Sequence, residues 1–194
     1  MASKEKNDEP IVLPRLNIQE MRITLIGDSP LICHAWSEKA RKQILDKQQK
    51  KARQARAAKD PQRDFEESLY RHPDGGYGFP VVAFKAAAVD ACSHVEGITK
   101  VHARGAFHIV GELARLDGEP RMRADMVRVG LGTADIRIRA EFPAWSTVLD
   151  IRFNGNVLSR EQIANLFNTA GFAVGVGEWR PQKDGSYGMF HAEA

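Results

Sequence analysis

The sequence predicts an α+β fold built on an antiparallel sheet, for three reasons. Apolar and polar residues alternate at period two near the start of the chain and again in two adjoining segments past its middle. Two stretches of helical spacing separate these runs, and a short apolar segment closes the chain after a glycine-rich loop. At 194 residues, 43% hydrophobic and 27% charged, the chain is long enough for one core with insertions.

Met1 to Pro10 is polar with alternating charge, which predicts a solvated tail over residues 1–12; an arm that orders on a neighbouring subunit is the alternative. The tail has no apolar core of the kind a signal peptide or membrane anchor needs, and no run elsewhere approaches a membrane span. Cys33 and Cys92 lack metal-binding spacing and are too few for a disulfide framework. They read as buried, reduced thiols in a cytoplasmic protein. Met21 to Ile26 alternates and ends in Gly27-Asp28-Ser29-Pro30, a strand followed by a turn. From about Ser37 to Lys59 the residues are strong helix formers, with nine Lys or Arg and one acid, Asp46, between Lys39 and Lys59. That helix has little to bury.

Asp60-Pro61 breaks the basic helix, Phe65 to Tyr70 resumes a short amphipathic piece, and His72-Pro73-Asp74-Gly75-Gly76 marks a turn. Tyr77 to Pro80 is a short extended segment. Val82 to Val95 is an alanine-rich helix able to pack closely on a sheet. Lys100 to His108 is mixed, Ala106 to Arg115 is extended, and Met126 to Val129 is a short strand. The best strand pair is Asp135 to Phe142 with Ser146 to Phe153, joined at Pro143-Ala144-Trp145. In the first, Ile136, Ile138, Ala140 and Phe142 share one face and Arg137, Arg139 and Glu141 the other. In the second, Leu149, Ile151 and Phe153 point inward. Ser159 caps a helix with Gln162 three residues on, and Gly171 ends it. The glycine loop and a strand over residues 187–191 follow.

Without insertions at about 31–78 and 97–130, this order is βαββαβ, a ferredoxin-like (RRM-like) core within a single domain spanning 13–194. The loop itself, Gly175 to Phe190, matches no nucleotide motif: it lacks the Gly-Lys-Ser/Thr ending of a Walker loop, and Pro181 precludes the helix a dinucleotide fingerprint requires. It does combine glycines with Trp179, Arg180, Lys183 and Tyr187, the stacking and charge that a sugar-phosphate chain needs.

A βαββαβ core whose second helix leads into such a loop resembles the RAMP superfamily of RNA-binding proteins of CRISPR systems. The matching residues are Gly175, Gly177, Arg180, Lys183, Gly185, Gly188 and Phe190, and Phe79 to Ala88 is similar to the apolar, lysine-bearing entry into the first helix of those proteins. The resemblance implies a subunit that polymerises along guide RNA, or a stand-alone relative, such as a phage-encoded one, that coats a single strand. The long basic helix departs from the family pattern.

Candidate contacts follow from charge. A formal charge of +3 is mild, so the position of the cations matters more than their number. Lys39, Arg41, Lys42, Lys50, Lys51 and Arg53 lie on the basic helix, where a solvated face is the bland alternative. Arg137, Arg139 and Arg152 make a stripe on the polar face of the strand pair. Lys85, Lys100 and Arg104, with His102, surround the first core helix. Trp36, Trp145 and Trp179 are candidates for base stacking or for core packing. No histidine or carboxylate spacing matches a metal or hydrolase motif, so no cofactor is expected. The expected function is non-enzymatic, sequence-tolerant binding of RNA or single-stranded DNA by a homo-oligomer or a subunit of a larger complex. Two alternatives stay open. One is a metal-independent endoribonuclease of the crRNA-processing type, with His34, His102 and Asp28 as candidates; the other is a protein-interaction module that mimics a CRISPR backbone subunit.

Overall fold

The computed structural model describes residues 13–36, 38–49, 58–130 and 132–193. In chain order its elements are β1 (Ile18–Gly27), β2 (Leu31–Cys33), α1 (Glu38–Gln48), α2 (Pro61–Ser68), β3 (Tyr70–Arg71), β4 (Tyr77–Pro80), α3 (Val81–Ala91), α4 (Lys100–Ala106), β5 (Phe107–Ile109), β6 (Leu113–Asp117), β7 (Arg121–Val129), β8 (Thr133–Phe142), β9 (Ser146–Asn154), α5 (Arg160–Ala173) and β10 (Phe190–Ala192). A seven-stranded sheet runs β10-β1-β9-β6-β4-β3, with β5 also paired to β9, and a second sheet runs β2-β8-β7. Every pairing is antiparallel.

The fold is α+β and ferredoxin-like: β10, β1, β9 and the β5/β6 segment occupy the four core positions, and α3 packs against α5. The core follows from period. Leu149, Ile151 and Phe153 of β9 and Ile23 and Leu25 of β1 are buried, as are Phe84, Ala87, Ala88 and Ala91 on α3 and Ile163, Leu166, Phe167 and Ala170 on α5. Edge-to-face aromatic contacts tie the layers, with Phe84 to Phe190 at 5.9 Å and Phe107 to Phe167 at 6.0 Å between centroids. The opposite face of the sheet carries paired charges, Arg22 with Asp150 at 2.8 Å and Arg152 with Glu20 at 3.3 Å. Cys33 and Cys92 are free and buried, and burial pushes the Cys33 thiol up to about 12.

The structure corrects four readings of the sequence. The segments 135–142 and 146–153 do not pair with each other: β9 is flanked by β1 on one side and by β5 and β6 on the other, so β8 leaves at Pro143-Ala144-Trp145 and pairs with β7 and β2. Trp145, 4% exposed, fixes this exit by donating from Nε1 to the Ser29 carbonyl at 2.9 Å. The core strand expected at Asp135 to Phe142 is therefore supplied by residues 107–117. Second, the faces of β8 are used differently from the alternation, because Arg139 and Glu141 are buried while Ile136 is 58% exposed. Third, the amphipathic piece expected from Phe65 to Tyr70 starts earlier and ends at Ser68: Asp60 Oδ1 accepts from the Arg63 N–H at 3.1 Å and Pro61 opens α2. Fourth, Gly171 lies inside α5, where a Cβ would sit 1.7 Å from the Phe190 carbonyl oxygen; it is small to admit β10, not to end the helix.

The Ser159–Gln162 capping box forms as its spacing predicts. Lys100–Ala106, mixed in the sequence, is a helix capped by the Thr99 side chain. The closing strand begins at Phe190, so 187–189 belong to the loop. Among the described residues no helix is long and apolar enough to cross a membrane.

Candidate nucleic-acid interface

The glycine loop between α5 and β10 is held by main-chain bonds. Val176 N–H donates to Gly188 O at 2.9 Å, Gly188 N–H to Pro30 O at 2.8 Å, Glu178 N–H to Ile32 O at 3.1 Å and Tyr187 N–H to Trp179 O at 3.1 Å. Gly188 makes the closure possible: its φ is +65°, and a Cβ there would lie 1.8 Å from the Val176 carbonyl oxygen. Trp179 also adopts a left-handed φ of 56°, a rare conformation for a bulky residue, and the residue is 44% exposed. The loop thus fixes an aromatic ring at the surface.

Arg180 and Lys183 extend from the same loop. The Arg180 guanidinium donates to the Gly177 carbonyl at 3.1 Å and to Gln182 Oε1 at 3.2 and 3.0 Å. Gln182 in turn donates to Asp90 Oδ2 at 2.8 Å, and Lys100 Nζ donates to Asp90 Oδ1 at 2.8 Å. These bonds from Lys100 and Gln182 hold the Asp90 carboxyl below its ordinary range. The chain Arg180–Gln182–Asp90–Lys100 joins the loop to α3 and α4. Lys85, one helix turn into α3, donates to the Arg104 carbonyl at 3.1 Å and lies 3.0 Å from His108 Nδ1; burial pushes its ammonium pKa down. Arg104 and Lys183 are exposed, without an ion pair among the described residues.

The three arginines expected to form one stripe are separated. Arg152 stays on the large sheet, paired with Glu20, whereas Arg137 and Arg139 lie on β8 in the second sheet. The reason is the divergence of β8 from β9. Arg137 is 3.4 Å from Asp135. Arg139 faces inward, 3.7 Å from Glu178 Oε2, with a buried Nε that has no hydrogen-bond partner among the described residues. Next to it Arg123 binds Asp125 at 2.9 Å, Glu141 at 3.3 Å and the Tyr187 hydroxyl at 3.2 Å, and stacks over the Tyr187 ring at 4.7 Å. Tyr187 is therefore engaged in holding the loop against the second sheet.

Glu178 has a second partner. His34 Nδ1 is 2.9 Å from Glu178 Oε1, and this bond, with Arg139 beyond it, holds the Glu178 carboxyl below its ordinary range. Tyr70 donates its hydroxyl to the His34 carbonyl at 3.2 Å. Asp28 likewise meets His191 at 2.6 Å, while His102 is exposed on α4. Trp36 is 64% exposed beside His34, and Trp145 is core. No group of His, Cys, Asp or Glu among the described residues could hold a metal ion.

Of the basic-helix candidates, Arg41 and Lys42 are exposed on α1, and Lys39 lies within the same helix. Lys50, Lys51 and Arg53 lie outside the described residues. Among the described residues α1 makes no substantial packing contact with another element. Sequence reasoning missed Asp90, Gln182, Glu178 and Arg123, all of which connect distant segments. Gln182 and Asp90 are 92 positions apart, and no local pattern signals such a contact.

No protein-family profile and no curated protein matches the chain. Among solved structures, the crystal structure of Cmr6 from Pyrococcus furiosus is similar to it with a TM-score of 0.49 and 10% identity, over 92% of this chain and 100% of that one.

Proposed function

We propose that this chain is a non-enzymatic, sequence-tolerant binder of RNA or single-stranded DNA that assembles along the strand. The observation that carries the reading is the link Arg180–Gln182–Asp90–Lys100, which places the braced loop beside the cations of α3 and α4. Lys183, Arg104 and Lys85 flank it with charge suited to successive phosphates, and Trp179 offers a face on which any base can stack. Stacking is indifferent to base identity, hence the tolerance of sequence. The RAMP-like organisation of the sequence supports the same reading, and membership of a multisubunit nucleoprotein complex belongs to it.

Electron microscopy of the protein with and without a long single strand tests it. A strand-dependent filament is expected; monodisperse particles in both conditions would remove the reading. Absence of oligonucleotide binding at moderate salt would favour the protein-interaction alternative instead.

One observation favours the endoribonuclease reading: the 2.9 Å contact of His34 with Glu178, which fixes the imidazole beside the loop. Incubation of labelled RNA with the protein in chelator separates the two. Defined cleavage lost on His34→Ala and kept in His102→Ala assigns catalysis to that pair; intact RNA leaves the binding reading alone.

A further inference from the structure

The glycine loop closes over a row of cations on the second sheet. Arg123 of β7 stands directly opposite Arg139 of β8, and the β2–β8 ladder ends at Cys33–Ala140, so that His34 is the next residue along and continues the row. The acids of the two strands on this face are already taken: Glu141 by Arg121 at 2.8 Å and Arg123 at 3.3 Å, Asp125 by Arg123 at 2.9 Å, and Asp135 by Lys59 and Arg137. The hydroxyls do not compete either, since Tyr70 donates to the His34 carbonyl and Tyr187 accepts from Arg123. Among the described residues, Glu178 of the loop is the acid left for both His34 and Arg139. It satisfies only one of them. Glu178 Oε1 lies 2.9 Å from His34 Nδ1, whereas Oε2 stops 3.7 Å from Arg139 Nε, beyond hydrogen-bond range. That Nε belongs to a residue only 9% exposed and has no partner among the described residues, while Nη1 of the same guanidinium donates to the Ile138 carbonyl at 3.2 Å. A buried N–H left open this close to a carboxylate is costly, and a shift of under about 1 Å would close the bond.

We propose that His34 is a proton-dependent positioning residue of the loop: when charged it keeps the Glu178 carboxylate, and when neutral it yields the carboxylate to Arg139. A carboxylate offers no proton, so Nδ1 of His34 must donate, and Nε2 is the nitrogen that titrates. The His34 side chain is 45% exposed, which opens the ring to solvent protons. An imidazolium makes a charge-assisted bond to Glu178 and competes with the guanidinium cation for cation. A neutral ring faces a permanent cation with an unused donor, and loses. Glu178 remains an anion throughout, because the bond from His34, with the charge of Arg139 beyond it, holds its carboxyl below the ordinary range. The main chain stays where it is, since the Glu178 N–H is tied to Ile32 O at 3.1 Å. What this means for a strand rests on the proposed function. Trp179 directly follows Glu178, and an imidazolium that gives Nδ1–H to Glu178 keeps Nε2–H for a phosphate.

The switch is read without nucleic acid, so that its failure leaves strand binding standing. Proton–nitrogen correlation spectra of the full chain follow the Arg139 Nε–H between about pH 8 and about pH 5.5, a range that spans the ordinary titration of imidazole. The signal is expected at a hydrogen-bonded, downfield position at the alkaline end and should move upfield with acid, with the same midpoint as the His34 ring. His34→Phe removes the competing donor and should hold the bonded position at both ends. His34→Lys keeps a permanent cation there and should hold the unbonded one. Glu178→Gln takes away the shared carboxylate and should abolish the movement. A signal that stays still in the wild type, moves with a midpoint other than that of the His34 ring, or titrates in any of the three variants as it does in the wild type would overturn the proposal. Affinity for a labelled oligonucleotide is the second readout: it should rise several-fold from about pH 8 to about pH 5.5 in the wild type and less in His34→Phe. An equal rise in both would overturn the positioning role.

Discussion

The glycine loop and α1 carry the same kind of charge in opposite ways. In the loop, a few groups are held: Arg180 is bonded to Gly177 and Gln182, Gln182 to Asp90, and the backbone is cross-braced to β2. On α1, Arg41, Lys42 and Lys47 stand exposed on a helix that packs on nothing substantial among the described residues. The difference separates two components of strand binding. A fixed cation and ring define where a nucleotide sits, because little side-chain freedom is lost on contact; unbraced cations add affinity through counterion release without defining position.

The largest effect is expected where the bracing is steric. Gly188→Ala forces a side chain into a left-handed position against the Val176 carbonyl, and should destabilise by on the order of 3 kcal/mol. Thermal unfolding should show a drop of roughly 6–12 °C for a chain of this size; an unchanged melting temperature would mean that the loop is not tied to the fold. Next comes Trp179→Ala, which should weaken oligonucleotide binding by about 2 kcal/mol, roughly 30-fold, through loss of stacking. Fluorescence anisotropy with a labelled strand reads it, and equal loss on all homopolymers is expected. A loss confined to one base would replace tolerance with recognition.

How much of this contrast could be read from the sequence depended on distance along the chain. The Ser159–Gln162 capping box was legible because both partners lie within one turn, and the inward faces of β1 and β9 because period two is local. The partner of β9 was not: alternation says that a segment is a strand and is silent on which strand it joins. Proximity at Pro143–Trp145 favoured β8, yet Trp145, inserted beneath Gly27 and Ser29, turns the chain into a different sheet. The loop was legible as a cationic, glycine-rich element, and its membership of one surface with Lys100 was not, because Asp90 and Gln182 meet only in the folded state. Arg139 shows the reverse error. Alternation predicts a solvent-facing side chain at this charged position, whereas the loop covers it with Glu178.

The unbraced side of the comparison predicts a change in salt dependence rather than in fold. Replacing Arg41, Lys42 and Lys47 together by Gln should flatten the plot of log K against log salt by about 2, if each releases the counterion equivalent of one single-strand phosphate. The melting temperature should stay put, since α1 contributes little packing. An unchanged slope would leave α1 a solvated face.

Asp90 gives the smallest and most discriminating effect, because its two roles have opposite signs. Its carboxyl is held below the ordinary range chiefly by the bond from Lys100, then by Gln182, so its contribution to stability is present above the unfolded value and is lost as pH falls through the folded one. With side chains 40% and 32% exposed, the Lys100–Asp90 pair is worth at most about 1 kcal/mol. Asp90→Asn keeps an acceptor for Gln182 but removes the anion, and should shallow the acid limb of the stability curve below about pH 4. On strand binding it should act the other way. An anion beside Lys100 and Arg180 repels phosphate, so its removal should tighten binding a few-fold at low salt, and the gain should fade as salt rises. Weaker binding in Asp90→Asn would mean that the carboxylate matters for holding the loop in place more than its charge opposes the strand.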